Sequence, residues 1–235
     1  MRTNKMLVYI GQVKIMGTAH LKKQYKSDSG FSSLAYHDHE EAKYRMAGIH
    51  GTSRIHKTCV SGPVLWNLHF DQLWTLRNSI PSDPIEFECW FKSQIKTISQ
   101  LIAAKRLHKN CGAEHYAIGL AQKRLNLFLK DLWAFDQVTP LQINNYHAVL
   151  NSLVLSHCAN LPKTWARWTN VIAENENEFE KLYSDYFTIQ KWLRTTQNRL
   201  KFDFANAVEL EQFIWHFEKN GYSCLAKDRL ANNSS

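Results

Sequence analysis

The stretch HYAIGLAQKRLNLFLKDLWAF, residues 115–135, places apolar residues at three- and four-residue steps and adds apolar residues on both flanks. The stepped positions are Ile118, Ala121, Leu125, Phe128, Leu129, Leu132 and Phe135. A helix that is apolar around most of its circumference needs cover from other elements. We therefore predict that this stretch is the central helix of the fold.

The polar residues of this helix form a narrow strip. Lys123, Asn126 and Lys130 are spaced at i, i+3 and i+7, and Gln122 lies beside them. Two ammonium groups and a carboxamide on one face suit a phosphate-bearing partner. We predict that these four residues contact nucleic acid. Two structural alternatives stay open, a solvated helix face and a buried polar network.

The composition indicates one compact unit with a basic surface. The chain has 235 residues, of which 44% are hydrophobic and 12% aromatic, and this content is enough for a large core. The 29 Lys and Arg residues against 21 Asp and Glu residues give a net charge of +8. A basic balance favours anionic partners and carries no information about the fold.

The N-terminal residues lack the unbroken apolar run of a signal peptide, because Gly11, Gln12 and Lys14 interrupt it. No window approaches the roughly 20 apolar residues of a membrane-spanning helix. The five Cys residues are odd in number and scattered, which is typical of reduced thiols rather than of a disulfide framework. We predict a cytoplasmic protein without a membrane partner.

The chain divides into an arm and a helical domain. Residues 1–60 are predicted to form an N-terminal arm that is irregular or partly extended, with a short strand, a hairpin or the start of a helix near 6–16 and a helix near 34–49. Residues 61–235 are predicted to form an all-α domain of about six to eight helices around residues 115–135. The expected architecture is a single helical domain with this arm attached.

Capping signals locate several helices of the domain. The segment DPIE at 83–86 has a capping-box arrangement, and the helix that follows it should reach about His108. The segment TPLQ at 139–142 repeats this arrangement for a helix that should reach about Leu155. Asn206 is the predicted cap of the last helix.

The segment GLAQKRLNLFLKDLWAF at 119–135 resembles the central-helix motif AQK-x-LN-x-x-LK-x-LW of an uncharacterised bacterial protein family. The matching positions are Ala121, Gln122, Lys123, Leu125, Asn126, Leu129, Lys130, Leu132 and Trp133. The resemblance covers roughly the second half of the chain and leaves out residues 1–60. It implies no known activity, and it groups Lys123, Asn126 and Lys130 as a unit.

Arg45 and His50 have the R-x4-H spacing that resembles the active motif of the helical HEPN ribonucleases. In that family the Arg stabilises phosphate charge and the His helps to transfer a proton during RNA cleavage. Gly48 lies inside the motif here and weakens a helix. A metal-independent ribonuclease with Arg45 and His50 as its catalytic pair is one hypothesis, and enzymatic activity stays open.

Two further patterns have structural and functional explanations. His56–Cys59 and His108–Cys111 have the spacing of zinc ligands, but surface His and buried Cys explain both pairs, and we predict no metal and no cofactor. The segment WARW at 165–168 interleaves Trp with Arg. This pattern suits stacking on unpaired bases or a place in the core.

The charge and the polar strip together favour a protein that binds or processes nucleic acid. The alternative is a protein-interaction or scaffold module, including a homodimer or another homo-oligomer, that uses part of its Trp and Phe content as an exposed patch. A steep fall of nucleic-acid affinity with salt distinguishes the first class from the second.

Overall fold

A computed structural model of the chain describes residues 17–28, 38–44, 61–158, 161–197 and 204–219. Its helices are α1 (17–28), α2 (39–44), α3 (Gly62–Asn67), α4 (Phe70–Leu76), α5 (Pro84–Ala104), α6 (Ile118–Ala134), α7 (Pro140–Ile143), α8 (Ser152–Leu155), α9 (Glu176–Gln197) and α10 (Ala207–Lys219). Within these residues no strand forms, and the β-structure is limited to isolated bridge positions, namely the bridge between Tyr116 and Ala173 and a bridge residue at His108. The predicted class, a single all-α domain, is confirmed.

Helix α6 is the centre of the domain, as its apolar pattern predicts. Every residue of α6 except Lys123 is buried. The helix packs against α5 on one side and α9 on another. An apolar cylinder of this kind is stable only when neighbouring helices cover it, and the observed packing provides that cover.

Helix α5 begins at the predicted cap and ends earlier than predicted. The Asp83 carboxylate accepts hydrogen bonds from two backbone N–H groups of the first turn, each at 2.9 Å. The helix ends at Ala104 rather than near His108. Arg106 adopts a left-handed backbone conformation with φ of 51°, which turns the chain away from the helix axis.

Helix α7 has the predicted capping box but is short. It ends at Ile143 rather than near Leu155. Residues 146–150 are buried and have no regular secondary structure, and a second short helix, α8, starts after the Asn151 cap. The chain therefore crosses the core here without regular structure, and side chains from α6 and α9 supply the backbone hydrogen bonds of Ala148 and Leu150.

The described chain after α8 adds two short turns and two further helices. Residues 161–172 contain two short 3₁₀ turns, Lys163–Trp165 and Trp168–Asn170, which lead into α9. The predicted cap of α10 is confirmed, because the Asn206 side chain accepts from the Glu209 N–H at 3.0 Å. None of the helices in the described residues combines the length and apolar content needed to cross a bilayer.

The arm of residues 1–60 contributes two helical segments among its described residues. Helix α1 packs on the domain, because Thr18 donates to Glu209 at 2.7 Å and Tyr25 donates to Asp131 at 2.6 Å. Helix α2 falls inside the helix predicted for 34–49. The strand or hairpin predicted near 6–16 lies outside the described residues.

Candidate nucleic-acid interface

The buried segment 146–150 forms neither a helix nor a strand, and the side chains of Gln122 and Gln190 hydrogen-bond to its backbone instead. Buried backbone N–H and C=O groups need partners. For Leu150, Gln122 donates to the carbonyl oxygen at 2.9 Å and accepts from the N–H at 3.2 Å. For Ala148, Gln190 makes the same two bonds at 3.0 and 2.9 Å. Each Gln carboxamide thus pairs with the N–H and the C=O of one residue, as the backbone of a neighbouring strand would.

Asn126 completes this buried network. Its Nδ2 atom lies 3.2 Å from the Ala148 carbonyl oxygen, 3.2 Å from Gln122 Oε1 and 2.9 Å from the Tyr186 hydroxyl oxygen. Gln122 and Asn126 have no solvent-exposed surface. The structure therefore places both in a buried polar network. A nucleic-acid contact for these two residues stays a prediction that the geometry does not favour.

The two lysines of the strip have different surroundings. Lys130 is buried and forms an ion pair with the buried Glu211. Burial raises the pKa of Glu211, and Lys130 opposes that effect. Lys123 is half-buried, with Nζ 5.0 Å from the ring centroid of Trp168, and burial lowers its pKa to about 8. Of the four predicted residues, only Lys123 has access to solvent.

Other predicted site residues lie elsewhere. Arg45 and His50 lie outside the described residues, as do His56 and Cys59. Across the part of the chain that the structure describes, no group of three or more His, Cys, Asp or Glu side chains is arranged to hold a metal ion.

Two neighbouring loops together hold five of the exposed cations of the described surface. Lys105, Arg106 and Lys109 lie in the loop of residues 105–113, and Lys163 and Arg167 lie in the loop of residues 161–172; all five are exposed. Neither loop contains an Asp or a Glu. None of the five cations forms an ion pair with any described residue. We call residues 105–113 and 161–172 the basic loop pair.

The buried His108 side chain joins the two loops. Its Nδ1 atom accepts a hydrogen bond from the Asn110 N–H at 3.1 Å, so Nε2 carries the proton. Nε2 donates to the Thr169 carbonyl oxygen, in the other loop, at 2.8 Å. Burial lowers the pKa of His108, which keeps the ring neutral. Both ring nitrogens therefore form hydrogen bonds within the protein. His108 links the two loops, although its spacing from Cys111 is that of zinc ligands.

An open cavity of ≈ 490 Å³ lies at the first of the two loops. Its lining residues are Arg106, His108, Lys109, Cys111, Gly112 and Ala113. Burial raises the pKa of the Cys111 thiol to about 11, so this side chain is uncharged near neutral pH. Since His108 is also neutral, Arg106 and Lys109 give the cavity its charge, and the cavity suits an anionic group.

Arg106 occupies a backbone position where glycine is the usual residue. The N–H of Leu107 donates to Ile102 at 2.9 Å and that of Arg106 donates to Ala103 at 2.8 Å, which is the Schellman pattern at the end of α5. The left-handed conformation costs a residue with a side chain about 1–2 kcal/mol. A cation is therefore held at this position against a backbone preference, as occurs at functional sites.

A second polar cluster, which the sequence did not reveal, lies near the start of α5. The buried His147 bonds through Nε2 to Glu88 at 2.8 Å and through Nδ1 to the Tyr186 hydroxyl at 2.9 Å. Arg194 donates to the same Glu88 oxygen at 3.2 Å. Burial opposes ionisation of Glu88, but His147 and Arg194 outweigh it and lower the pKa of Glu88. Glu88 and Lys92 are one turn apart, but Lys92 instead contacts Glu180, at 2.5 Å.

Comparison with known proteins identifies no relative. No protein-family model, no curated protein and no solved structure matches the chain.

Proposed function

We propose that the protein binds nucleic acid and that the basic loop pair is the contact surface. The observation that carries this proposal is that two adjacent loops without acidic residues hold five exposed cations, none of which forms an ion pair with a described residue. Lys and Arg side chains that are not neutralised within the protein are available to replace the counterions of a phosphate backbone. The net charge of +8 favours approach of the same partner.

Two lysines on the side of α5 differ from the loop cations, because each is paired with a glutamate. Lys92 and Lys96 each lie 2.5 Å from a glutamate of α9, Glu180 and Glu176 respectively. Their charge is compensated locally, so they offer little to an external phosphate. The same helix therefore has paired cations along its side and unpaired cations at its C-terminal end.

The alternative function, a protein-interaction module or homodimer, stays a prediction. The exposed large apolar residues of the described chain lie on four separate helices, α2, α3, α5 and α7. These residues are Tyr44, Val64, Ile85 and Leu141. The ribonuclease hypothesis for Arg45 and His50 concerns processing rather than binding and is independent of the loop pair.

The proposal is tested by removing one cation from each loop. We expect the native chain to bind a fluorescently labelled oligonucleotide at low salt, with an affinity that falls steeply as salt rises. The variant Lys109→Gln/Arg167→Gln should bind more weakly, and the slope of log K against log salt should become shallower by about two units, one for each lost contact.

The matched control is Lys92→Gln/Lys96→Gln, which removes the same formal charge from paired positions. It should change the salt slope by less than about one unit. No binding by the native chain at low salt would remove the proposed function. Equal effects of the two double variants would show that net charge acts without a defined contact surface.

A further inference from the structure

We infer that the basic loop pair binds the phosphates of a double-stranded nucleic acid, in preference to a single strand and without regard to base sequence. This inference rests on the proposed function and concerns the form of the nucleic acid. It follows from the side chains that the two loops expose and from those that they bury.

The loops expose no aromatic ring on which an unpaired base could stack. Their two Trp residues, Trp165 and Trp168, are 0% and 9% exposed. Trp165 donates its ring N–H to the Leu182 carbonyl oxygen at 3.2 Å, and Lys123 lies over the ring of Trp168. Proteins that hold single strands obtain affinity by stacking bases on accessible aromatic rings. The WARW segment therefore belongs to the core, and only its Arg167 is presented to a ligand.

The loops also lack an element that could enter a groove and read base edges. Apart from a single bridge position at His108, the regular structure in the described loop residues is limited to two 3₁₀ turns of three residues each. The major groove is read by an α-helix or a two-stranded ribbon, which present several side chains to successive bases. Contacts from exposed Lys and Arg side chains on irregular loops reach the phosphates instead.

Among nucleic acids, a surface that contacts only phosphates favours the form with the highest charge density. A duplex carries one charge per about 1.7 Å of its axis, and each contact to it contributes about 0.9 to the salt slope, compared with about 0.7 for a single strand. Without stacking energy to favour the single strand, counterion release favours the duplex. The expected order of affinity is duplex first, then single strand.

The experiment measures binding of the full chain to four labelled probes of equal length in one buffer. The probes are a DNA duplex, a second duplex of scrambled sequence, one of the component strands, and a strand of the same length without bases. We expect the duplexes to have equal Kd values within about twofold and a lower Kd than the strand. We expect the strand with bases and the strand without bases to bind equally.

Each contrary result is distinguishable. Stacking on a single base would make the strand with bases bind about fivefold or more tightly than the strand without bases, and this result would overturn the inference while leaving nucleic-acid binding intact. A strand that binds as tightly as the duplex, or a tenfold difference between the two duplexes, would also overturn it. Failure to bind any of the four probes would overturn the proposed function itself.

The loop variant Lys109→Gln/Arg167→Gln supplies a second measurement on the same probes. If phosphates are the contact, the variant should lose affinity for both duplexes by the same factor. A loss confined to one sequence would show that these side chains read bases and would overturn the inference.

Discussion

The His108 ring donates a hydrogen bond to the Thr169 carbonyl oxygen at 2.8 Å, and this bond joins two loops that are 61 residues apart in the chain. The ring is 2% exposed, so the bond is shielded from water. Charge alone does not make a binding surface, because cations on mobile loops lose entropy when they meet a ligand. We infer that His108 positions the cations of one loop beside those of the other.

We predict that His108→Leu weakens nucleic-acid binding although no cation is removed. The substitution removes the hydrogen bonds to the Thr169 carbonyl oxygen and from the Asn110 N–H, and because both residues keep some contact with solvent we expect a cost of about 1 kcal/mol for each bond. Thermal unfolding and anisotropy titration measure the two effects. His108→Gln, which keeps a side-chain donor, should retain more of both. Equal affinity of the Leu variant and the native chain would show that the loops are positioned by other contacts.

We predict that Arg106→Gly stabilises the fold while weakening binding. The left-handed conformation costs about 1–2 kcal/mol for a residue with a side chain, and glycine avoids this cost. Glycine also loses more backbone entropy on folding, which lowers stability by about 0.5–1 kcal/mol. The net gain should be about 0.5–1 kcal/mol in the free energy of unfolding, measured in urea.

The matched control for this trade-off is Asp136→Gly. Asp136 has φ of 59° at the corresponding position after α6 and lies outside the basic loop pair. It should gain less stability, because Asp tolerates the left-handed region better, and it should not lose affinity. If Arg106→Gly gains stability and keeps its full affinity, Arg106 does not contact the ligand.

We predict that Gln122→Leu is strongly destabilising, whereas Lys123→Gln is not. Gln122 satisfies both backbone groups of Leu150, so its replacement leaves two buried groups unpaired, at a cost of about 2–5 kcal/mol. Lys123 is half-buried, lies over the Trp168 ring and forms no ion pair with a described residue. Because burial disfavours its charged form, removing the charge offsets the lost cation–π contact, and the substitution should change stability by less than about 1 kcal/mol. Chemical denaturation compares the two variants. Similar costs for both would mean that the network is less important than its geometry implies.

The helices defined by local sequence signals were predictable. The early end of α7 and the irregular segment 146–150 were not. The apolar pattern of α6 and the cap at Asp83 depend on residues within one or two turns. The end of α7 depends on Gln122 and Gln190, which lie 28 and 42 residues from their backbone partners. Nothing in the local sequence indicates that such distant carboxamides will replace a helix.

The positive charge of the protein was predictable from the sequence, but the position of the candidate binding surface was not. Composition gives the net charge, but whether a given cation is free depends on long-range contacts. Lys92 and Lys96 are neutralised by glutamates 88 and 80 residues away, whereas the loop cations are not. The AQK-x-LN pattern similarly indicates polar residues with specific partners. The sequence alone does not show that Gln122 and Asn126 find those partners in the core rather than at the surface.

We predict that stability falls as pH drops below about 6.5, in part because of His147. Burial lowers the pKa of His147, and Glu88 opposes that effect. The unfolded chain therefore binds a proton near pH 6.5 that the folded chain does not bind until the pH is lower. Stability is present above this range and is lost as the pH falls through it, by up to about 1.4 kcal/mol per pH unit for one group.

The measurement is the urea-derived free energy of unfolding from about pH 7.5 to pH 5. Burial also lowers the pKa of His69 and His108, so the native slope contains their contributions with the same sign. His147→Asn should reduce the slope without abolishing it. An unchanged slope in this variant would mean that His147 is protonated in the folded protein or has its ordinary pKa.

The buried pair of Lys130 and Glu211 distinguishes an architectural role of the central-helix strip from a binding role. Lys130→Met should cost about 3–5 kcal/mol, because it leaves the Glu211 carboxylate buried without a partner, and Glu211→Leu should cost a similar amount. The double variant should recover most of the loss, since two apolar side chains of similar volume fill the space without desolvated charge. Urea unfolding of the four proteins gives the coupling energy. If Lys130 has only this internal role, the double variant binds nucleic acid with the native salt slope. A shallower slope in a stable double variant would instead return Lys130 to the binding surface, as the sequence pattern predicts.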